Sequence, residues 1–263
     1  MDLRSLRRQL RVATRDALAA HGVEIHRTGR GVRRTLPAVL AHYRDLGLVP
    51  ATVIDVGVGP GTPELYEGFP QAGLMLVEPL EEWRGYLEAI ARDRAAHVAI
   101  AAAGPEASEI EIAVHRAPVC SSTLGSRRGD GQQPCRSVPM VRLDDLAAEH
   151  RLPGPFVIKV DVEGAELEVL SGALDLLRDT ELALLEVSLF ELVPGAPQLH
   201  DVVLWMFEHG FVVADLYNGH NRLLDGSLAQ LDVAFVQKDG RFRREHAYAT
   251  PAQADELYRA WGY

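Results

Sequence analysis

Short apolar segments alternate with longer amphipathic segments along most of this chain. The apolar segments predict strands at 52–56, 73–77, 97–102, 156–161, 182–187, 211–217 and 231–237. Apolar positions recur with helical spacing over 3–20, 36–46, 79–92, 164–177 and 198–209. Strands that alternate with helices in this way form a largely parallel sheet with helices on both faces.

Two segments depart from this alternation. The last two strands are joined by NGHNRLLDGS, which is too short for a crossover helix and predicts a hairpin, hence an antiparallel strand at one edge of a seven-stranded sheet. Residues 103–142 hold strands at 109–114 and 137–143 around a long polar loop, 117–136, of a kind that is usually functional or disordered. We expect an N-terminal helical extension (1–50), an α/β domain (51–240) and a helical tail (241–263).

A glycine-rich turn, DVGVGPG (55–61), follows the first predicted strand. Gly57, Gly59 and Gly61 permit close approach of a ligand, and ligands of open α/β sheets bind beyond the carboxyl ends of the strands. The turn lacks the third glycine of the dinucleotide fingerprint G-x-G-x-x-G. Asp55 would repel a pyrophosphate, but it can accept backbone amides or lie near the sulfonium and amino groups of S-adenosylmethionine.

An acid, Glu78, closes the second predicted strand and is followed by Pro79. Such an acid can bind both ribose hydroxyls of an adenosine ligand. The alternative is a purely structural turn with a solvated Glu78 at the start of a helix. Turn and acid together at these strand positions favour adenosine binding, and Ala102, at the end of the third predicted strand, completes the expected cofactor site.

The most specific stretch of the chain is IKVDVEGAELEVL (158–170). A strand ends in Asp161, Glu163 opens the next helix, and Lys159 is one of only two lysines. This strand is expected beside the first, so its acids should face the same cleft. Helix capping, worth about 0.3–1 kcal/mol, explains one acid well and the Lys-x-Asp-x-Glu cluster less well.

The order of DVGVGPG, VEP, RLDDL and IKVDVEGAELEVLSGA resembles that of the FkbM family of S-adenosylmethionine-dependent methyltransferases, over about residues 50–237. Residues 21–27 are similar to the N-terminal segment of that family. The resemblance implies a Rossmann-like methyltransferase fold and O-methylation of a sugar, polyketide or other natural product. Val58-Gly59-Pro60 stands where the family commonly has Ala-Asn, which bears on how the methionine end is held.

Methyl transfer to a hydroxyl needs an aligned oxygen, exclusion of water and a general base. We expect Asp161 as the base, with Glu163 second and His200 third. His200 lies near the start of the helix after the fifth strand, where a lone histidine is more often structural. The expected acceptor-side residues are Lys159, Glu186, Ser121 and Ser122.

The same residues are compatible with other functions. Asp161, Glu163 and Glu186 could hold Mg²⁺ through oxygen atoms, although no spacing demands a metal. A nicotinamide-dependent oxidoreductase would need the missing glycine fingerprint. A non-catalytic adenosine-binding module would bind the cofactor without turnover, and an amine acceptor would need less help from a base.

Composition bears on the binding partners and the cellular location expected for this protein. A net charge of −10 disfavours nucleic acid, no apolar stretch is long enough to span a membrane, and the N-terminus has no apolar core of a secretory signal. Only two cysteines, Cys120 and Cys135, and no CxxC favour a reducing compartment. We expect a cytoplasmic enzyme for a small molecule, and the N-terminal helices could serve as a homo-oligomer interface.

Overall fold

The computed structural model describes residues 31–114 and 135–261, together with Thr14. The chain divides into two compact units, residues 1–33 and 34–263, and the second contains every described strand. The predicted helix at 3–20 and the loop residues Ser121 and Ser122 lie outside the described residues, apart from Thr14, which is helical. The predicted domain boundary at residue 50 stays a prediction.

Seven strands form the central sheet of this unit: β1 (Thr52–Val56), β2 (Gly73–Val77), β3 (Ala96–Ala99), β7 (Phe156–Val160), β8 (Thr180–Ser188), β9 (Phe211–Asn221) and β10 (Leu228–Gln237). Their order in the sheet is β3-β2-β1-β7-β8-β10-β9. Strands β1, β2, β3, β7 and β8 run parallel, while β10 is antiparallel to both β8 and β9. The predicted sheet and hairpin are therefore confirmed, with β9 at the edge and β10 inside it.

Helices cover both faces of the sheet because its strands are apolar on both sides. All five residues of β1 are buried, with Val53 packing in one core cluster and Ile54 in the other. One face carries α1 (Leu36–Asp45), α2 (Pro63–Gly68) and α3 (Arg84–Asp93). The opposite face carries α4 (Leu143–His150), α5 (Glu166–Ser171), α6 (Leu174–Arg178) and α7 (Leu199–Glu208). A further helix, α8 (Pro251–Trp261), ends the described chain.

A second, three-stranded sheet interrupts the alternation of strands and helices, in the region where the sequence pattern also departs from it. It has the order β4-β6-β5 and consists of β4 (Ala102–Ala103), β5 (Ser108–Ala113) and β6 (Cys135–Val141). Its core cluster contains Ala102, Ile112 and Met140, and Trp83 packs against that cluster. The predicted strand 97–102 is thus wrong in extent: β3 ends at Ala99, and Ala102 belongs to the second sheet.

The single helix predicted over 164–177 is also wrong, because the chain forms α5 and α6 with a break at Gly172. Gly172 lies against the backbone of Gly104, and its carbonyl accepts the amide of Asp144 at 3.0 Å. The carboxylate of Asp144 in turn accepts the amides of Asp175 and Leu176 at the start of α6. A tertiary partner thus supplies the cap that begins a second helix.

The packing at Gly172 predicts the effect of Gly172→Ala on stability. A methyl group there would lie 2.0 Å from the carbonyl oxygen of Gly104, and overpacking of this kind costs about 1–3 kcal/mol. We expect a thermal midpoint several degrees lower by calorimetry. The control is Gly85→Ala, where the added carbon meets no atom within 4 Å, so its midpoint should be equal or higher; equal midpoints for the two variants would contradict this packing.

Candidate functional site

A cavity of about 740 Å³ opens at the carboxyl ends of the central strands. It lies where the tips of β1, β2, β7 and β8 meet, because these strands are parallel and adjacent. Most residues predicted for the site line it. They are Gly57, Gly59, Gly61, Glu78, Pro79, Ala102, Lys159, Asp161, Glu163 and Glu186.

The glycine turn after β1 packs directly against the backbone at the end of β7. A side chain at Gly57 would place its first carbon 1.8 Å from the carbonyl oxygen of Asp161, and the residue has a φ of +75°. The amide of Asp161 also donates to the carbonyl of Val56 at 3.0 Å. Only glycine satisfies both the close approach and the left-handed backbone, so this position brings the turn and the acids of β7 together.

Glu78 anchors the turn from the neighbouring strand. Its two carboxylate oxygens accept the amides of Gly59 and Leu80, each at 2.9 Å. Burial raises the pKa of Glu78, and these two amide hydrogen bonds oppose the shift. Each carboxylate oxygen has a second lone pair, so the side chain can still accept from a ligand hydroxyl in the cavity.

The prediction that Asp55 contacts the cofactor is not supported, because this side chain does not line the cavity. Asp55 is fully buried on the face that carries α2 and accepts a 2.6 Å hydrogen bond from the hydroxyl of Tyr66. It pairs in register with Lys159 of β7, whose Nζ lies 3.9 Å from Oδ1 of Asp55. Burial raises the pKa of Asp55, and the charge of Lys159 acts against that shift.

Lys159 connects this buried acid to the cavity. Its Nζ donates to Oδ2 of Asp161 at 2.9 Å. Burial disfavours its charge, but the carboxylates of Asp55 and Asp161 outweigh that effect and raise the pKa of Lys159. The lysine is therefore a fixed cation that orients Asp161, in addition to any contact with an acceptor.

Carboxyl groups of β8 and β10 face one another beyond Lys159. Glu186 and Asp232 are register partners. Burial, together with the charges of Asp161, Glu163 and Asp232, raises the pKa of Glu186 to about 9. Burial likewise raises the pKa of Asp232 to about 6. These acids crowd one end of the cavity, so not all of them are ionised at neutral pH.

The terminal hairpin supplies site residues that the sequence reasoning missed. Asn218, His220 and Asp232 line the cavity, and Asn218 donates to Asp232 at 2.8 Å. The available signal was an acid inside the apolar strand LDVAFV and the polar run NGH after another strand. Both patterns are typical of an ordinary hairpin, and only the sheet order, with β10 beside β8, brings them to the cavity.

Trp83 was also missed, although it lines the cavity next to Glu78 and Ala102. Its indole Nε1 is buried and has no hydrogen-bond partner within the described protein. An unpaired buried donor costs free energy, so this atom is suited to an acceptor atom of a ligand ring.

Two of the predicted general bases, His200 and Glu163, lie in different environments, and only Glu163 lines the cavity. His200 does not line the cavity: its side chain is 74% exposed and lies 3.4 Å from Asp201. Glu163 does line the cavity, with a φ of 54°. That conformation is uncommon for a residue other than glycine and persists where the surrounding structure imposes it.

The described residues give no support to a magnesium site. Among 31–114 and 135–261, no group of three His, Cys, Asp or Glu side chains is arranged to hold a metal ion. Asp161, of the predicted set, is instead bound to Lys159. Within the same residues, no helix combines the length and apolarity needed to cross a membrane.

The raised pKa of Glu186 predicts how stability depends on pH. Between its ordinary pKa of 4.5 and about 9, the folded protein keeps a proton that the unfolded chain releases. The free energy of unfolding therefore falls as pH rises through that window. Glu186→Gln cannot titrate and still accepts from Gln230, so its thermal midpoint relative to the unsubstituted protein should rise from about pH 5 to about pH 9.

The control for this experiment is Glu67→Gln, an exposed position on α2. Its midpoint should follow that of the unsubstituted protein across the same pH range. A constant difference between Glu186→Gln and the unsubstituted protein at all pH values would contradict the shifted pKa.

Comparisons with solved structures show methyltransferases of several kinds. The precorrin-6y C5,15-methyltransferase of Geobacter metallireducens GS-15 is 13% identical, with 80% of this chain and 93% of that chain covered and a TM-score of 0.42. The magnesium protoporphyrin IX methyltransferase of Synechocystis PCC 6803 is 16% identical, with coverages of 80% and 86% and a TM-score of 0.39. An rRNA methylase of Streptococcus thermophilus is 10% identical, with coverages of 79% and 98% and a TM-score of 0.43. Similarities this low carry no argument about substrate.

The sequence comparison is more specific. A search of curated proteins finds no match to this chain. The family model for the methyltransferase FkbM domain matches residues 69–213, which is more than half of the chain. The matched region includes Glu78 and the whole of the Lys159–Glu163 segment that lines the cavity. The chain therefore belongs to the FkbM family of S-adenosylmethionine-dependent methyltransferases.

Proposed function

We propose that this protein transfers the methyl group of S-adenosylmethionine to a hydroxyl oxygen of a small molecule. The main support is that one cavity is lined by three groups of residues. They are the glycine turn after β1, the acid that closes β2, and the acids of β7 and β8. The first two suit an adenosine ligand, and the acids suit a hydroxyl acceptor.

The residues at the β1 and β2 end fit the cofactor. Gly57–Gly61 gives a backbone surface that a ligand can approach closely, and Glu78 can accept from ribose hydroxyls. The unpaired Nε1 of Trp83 offers a donor for a nitrogen of the adenine ring. Ala102 and Ile112 of the second sheet add an apolar wall beside it.

The end of the cavity formed by β7 and β8 is available for the acceptor molecule. S-adenosylmethionine, when bound, supplies a methyl carbon that is already activated for attack. The chain has to orient one oxygen and keep water away from it. Asp161, held by Lys159, can accept a hydrogen bond from a hydroxyl of the acceptor, and Glu186 and Asn218 can contact neighbouring groups of that molecule.

Charge favours a small acceptor over nucleic acid. The described cavity is lined by six carboxyl groups and one lysine, a surface that would repel a phosphate backbone. With the net charge of −10, this supports a sugar or another hydroxylated natural-product intermediate. We propose that the reaction takes place in the cytoplasm and does not require Mg²⁺.

The competing functions have less support. The glycine turn has no G-x-G-x-x-G for a dinucleotide, and Glu78 beside it disfavours a pyrophosphate. A non-catalytic adenosine-binding module would have no use for the part-buried Lys159–Asp161 pair. An amine acceptor would not require a base, but it would use the same orientation by Asp161.

Binding of S-adenosylhomocysteine, measured by calorimetry, tests the proposal. Glu78→Ala should bind this ligand about tenfold to hundredfold more weakly, because hydrogen bonds to a charged group are worth about 1.5–3 kcal/mol. Glu78→Gln should be intermediate, since one oxygen remains, and Glu67→Ala, at an exposed site, should bind normally. No binding by the unsubstituted protein would end the proposal, and normal binding by Glu78→Ala would remove Glu78 from the site.

The role of Trp83 can be measured with the same ligand. Trp83→Phe keeps an aromatic ring but loses Nε1, and a neutral hydrogen bond is worth about 0.5–1.5 kcal/mol, or about twofold to tenfold in affinity. The control is Tyr86→Phe, because Tyr86 is exposed and its ring contacts Trp83 edge-on with centroids 5.6 Å apart. Equal affinities for the two variants would show that the indole donor does not contact the ligand.

A further inference from the structure

The acceptor end of the cavity contains a histidine, His220. His220 lies on β9 and lines the cavity together with Asp161, Glu186 and Asp232. Glu186 and Asp232 belong to β8 and β10, and Asp161 directly follows β7. The sheet order, with β10 between β8 and β9, is what brings the histidine to this place.

A chain of hydrogen bonds orients the imidazole of His220. Its Nε2 lies 3.0 Å from Oε1 of Gln230, and Nε2 of Gln230 donates to Oε2 of Glu186 at 3.1 Å. Because the amide nitrogen of Gln230 faces Glu186, its oxygen faces His220, and that oxygen can only accept. A neutral ring that donates to this oxygen carries its proton on Nε2 and keeps its lone pair on Nδ1.

The acids around His220 are already bonded to the protein. Asp161 accepts from Lys159, Asp232 from Asn218 and Glu186 from Gln230. In residues 31–114 and 135–261, no hydrogen bond to Nδ1 of His220 is found. Asp161 and Asp232 line the same cavity as His220, and Lys159 lies beside Asp161.

We propose that His220 takes the proton of the reacting hydroxyl and that Gln230 and Glu186 position it, an inference that rests on the proposed methyl transfer. The acceptor oxygen forms its bond to the methyl carbon with a lone pair, and the electron pair of the S–CH3 bond stays on sulfur. The O–H bond breaks, its electron pair remains on oxygen, and the proton moves to Nδ1 of His220. Asp161, expected from sequence to be the base, then accepts from another hydroxyl of the acceptor and so orients that molecule.

The geometry of this step sets a distance that can be measured without knowing the acceptor. A base lies about 2.6–3.2 Å from the oxygen it deprotonates, and that oxygen lies about 3–3.5 Å from the methyl carbon. The Nδ1 atom of His220 must therefore lie within about 6.7 Å of the methyl carbon. We would bind S-adenosylmethionine with a ¹³C-labelled methyl group to the full chain, labelled with ¹⁵N-histidine.

Two NMR readouts are expected from this complex. A nuclear Overhauser effect should connect the labelled methyl group with a ring proton of His220, and long-range ¹H–¹⁵N correlations should show the Nε2–H form of the neutral ring. His220→Gln should remove both signals while changing the affinity for S-adenosylmethionine by no more than about twofold. Gln230→Leu should reduce the preference for the Nε2–H form. The control His200→Gln, at an exposed histidine outside the cavity, should change neither signal.

The outcomes separate this inference from the proposed function. If the cofactor binds but its methyl group shows no contact with His220, or if the ring carries its proton on Nδ1, the histidine is not the base and the proposed methyl transfer stands. If the unsubstituted protein does not bind S-adenosylmethionine, the proposed function itself is overturned.

Discussion

The contact between the backbone of Gly57 and the backbone of Asp161 is the constraint on which the site depends. It leaves no room for a first side-chain carbon at the turn, which would come within 1.8 Å of the Asp161 carbonyl oxygen. Because backbone meets backbone, the separation of the glycine turn from the acid cluster is set by the β1–β7 pairing and not by adjustable side chains. A cofactor on one side and an acceptor on the other would then meet at a fixed distance, as alignment of reacting atoms requires.

One buried lysine balances the charges beneath this contact. Lys159 lies between two acids. Asp55, on β1, is fully buried, whereas Asp161 lines the cavity. A buried charge without a partner is costly, so each member of this row holds the others in place. Lys159 also lowers the pKa of Glu186, but burial and the neighbouring carboxylates outweigh it and favour the protonated form.

The polar wall opposite the glycine turn is built by the hairpin of β9 and β10. Register pairing sets Asp232 beside Glu186, and Gln230 joins Glu186 to His220. A connection of this kind fixes the direction of each hydrogen bond, since an amide has a donor end and an acceptor end. Family membership accounts for the cofactor chemistry, whereas this wall is where one acceptor would be distinguished from another.

Local sequence determined much of this protein: the strands of the central sheet, the hairpin, the glycine turn, and the acids at the tips of β2 and β7. Those features depend on periodicity and on residue types that act within a few positions of the chain. Only the tertiary structure decided that Asp55 faces Tyr66 and not the cavity, that α5 and α6 are separate, that His200 is exposed, and that Trp83 and His220 belong to the site. The reason is that strand parity, sheet order and a backbone contact between distant glycines join residues far apart in sequence, and no local pattern carries that information.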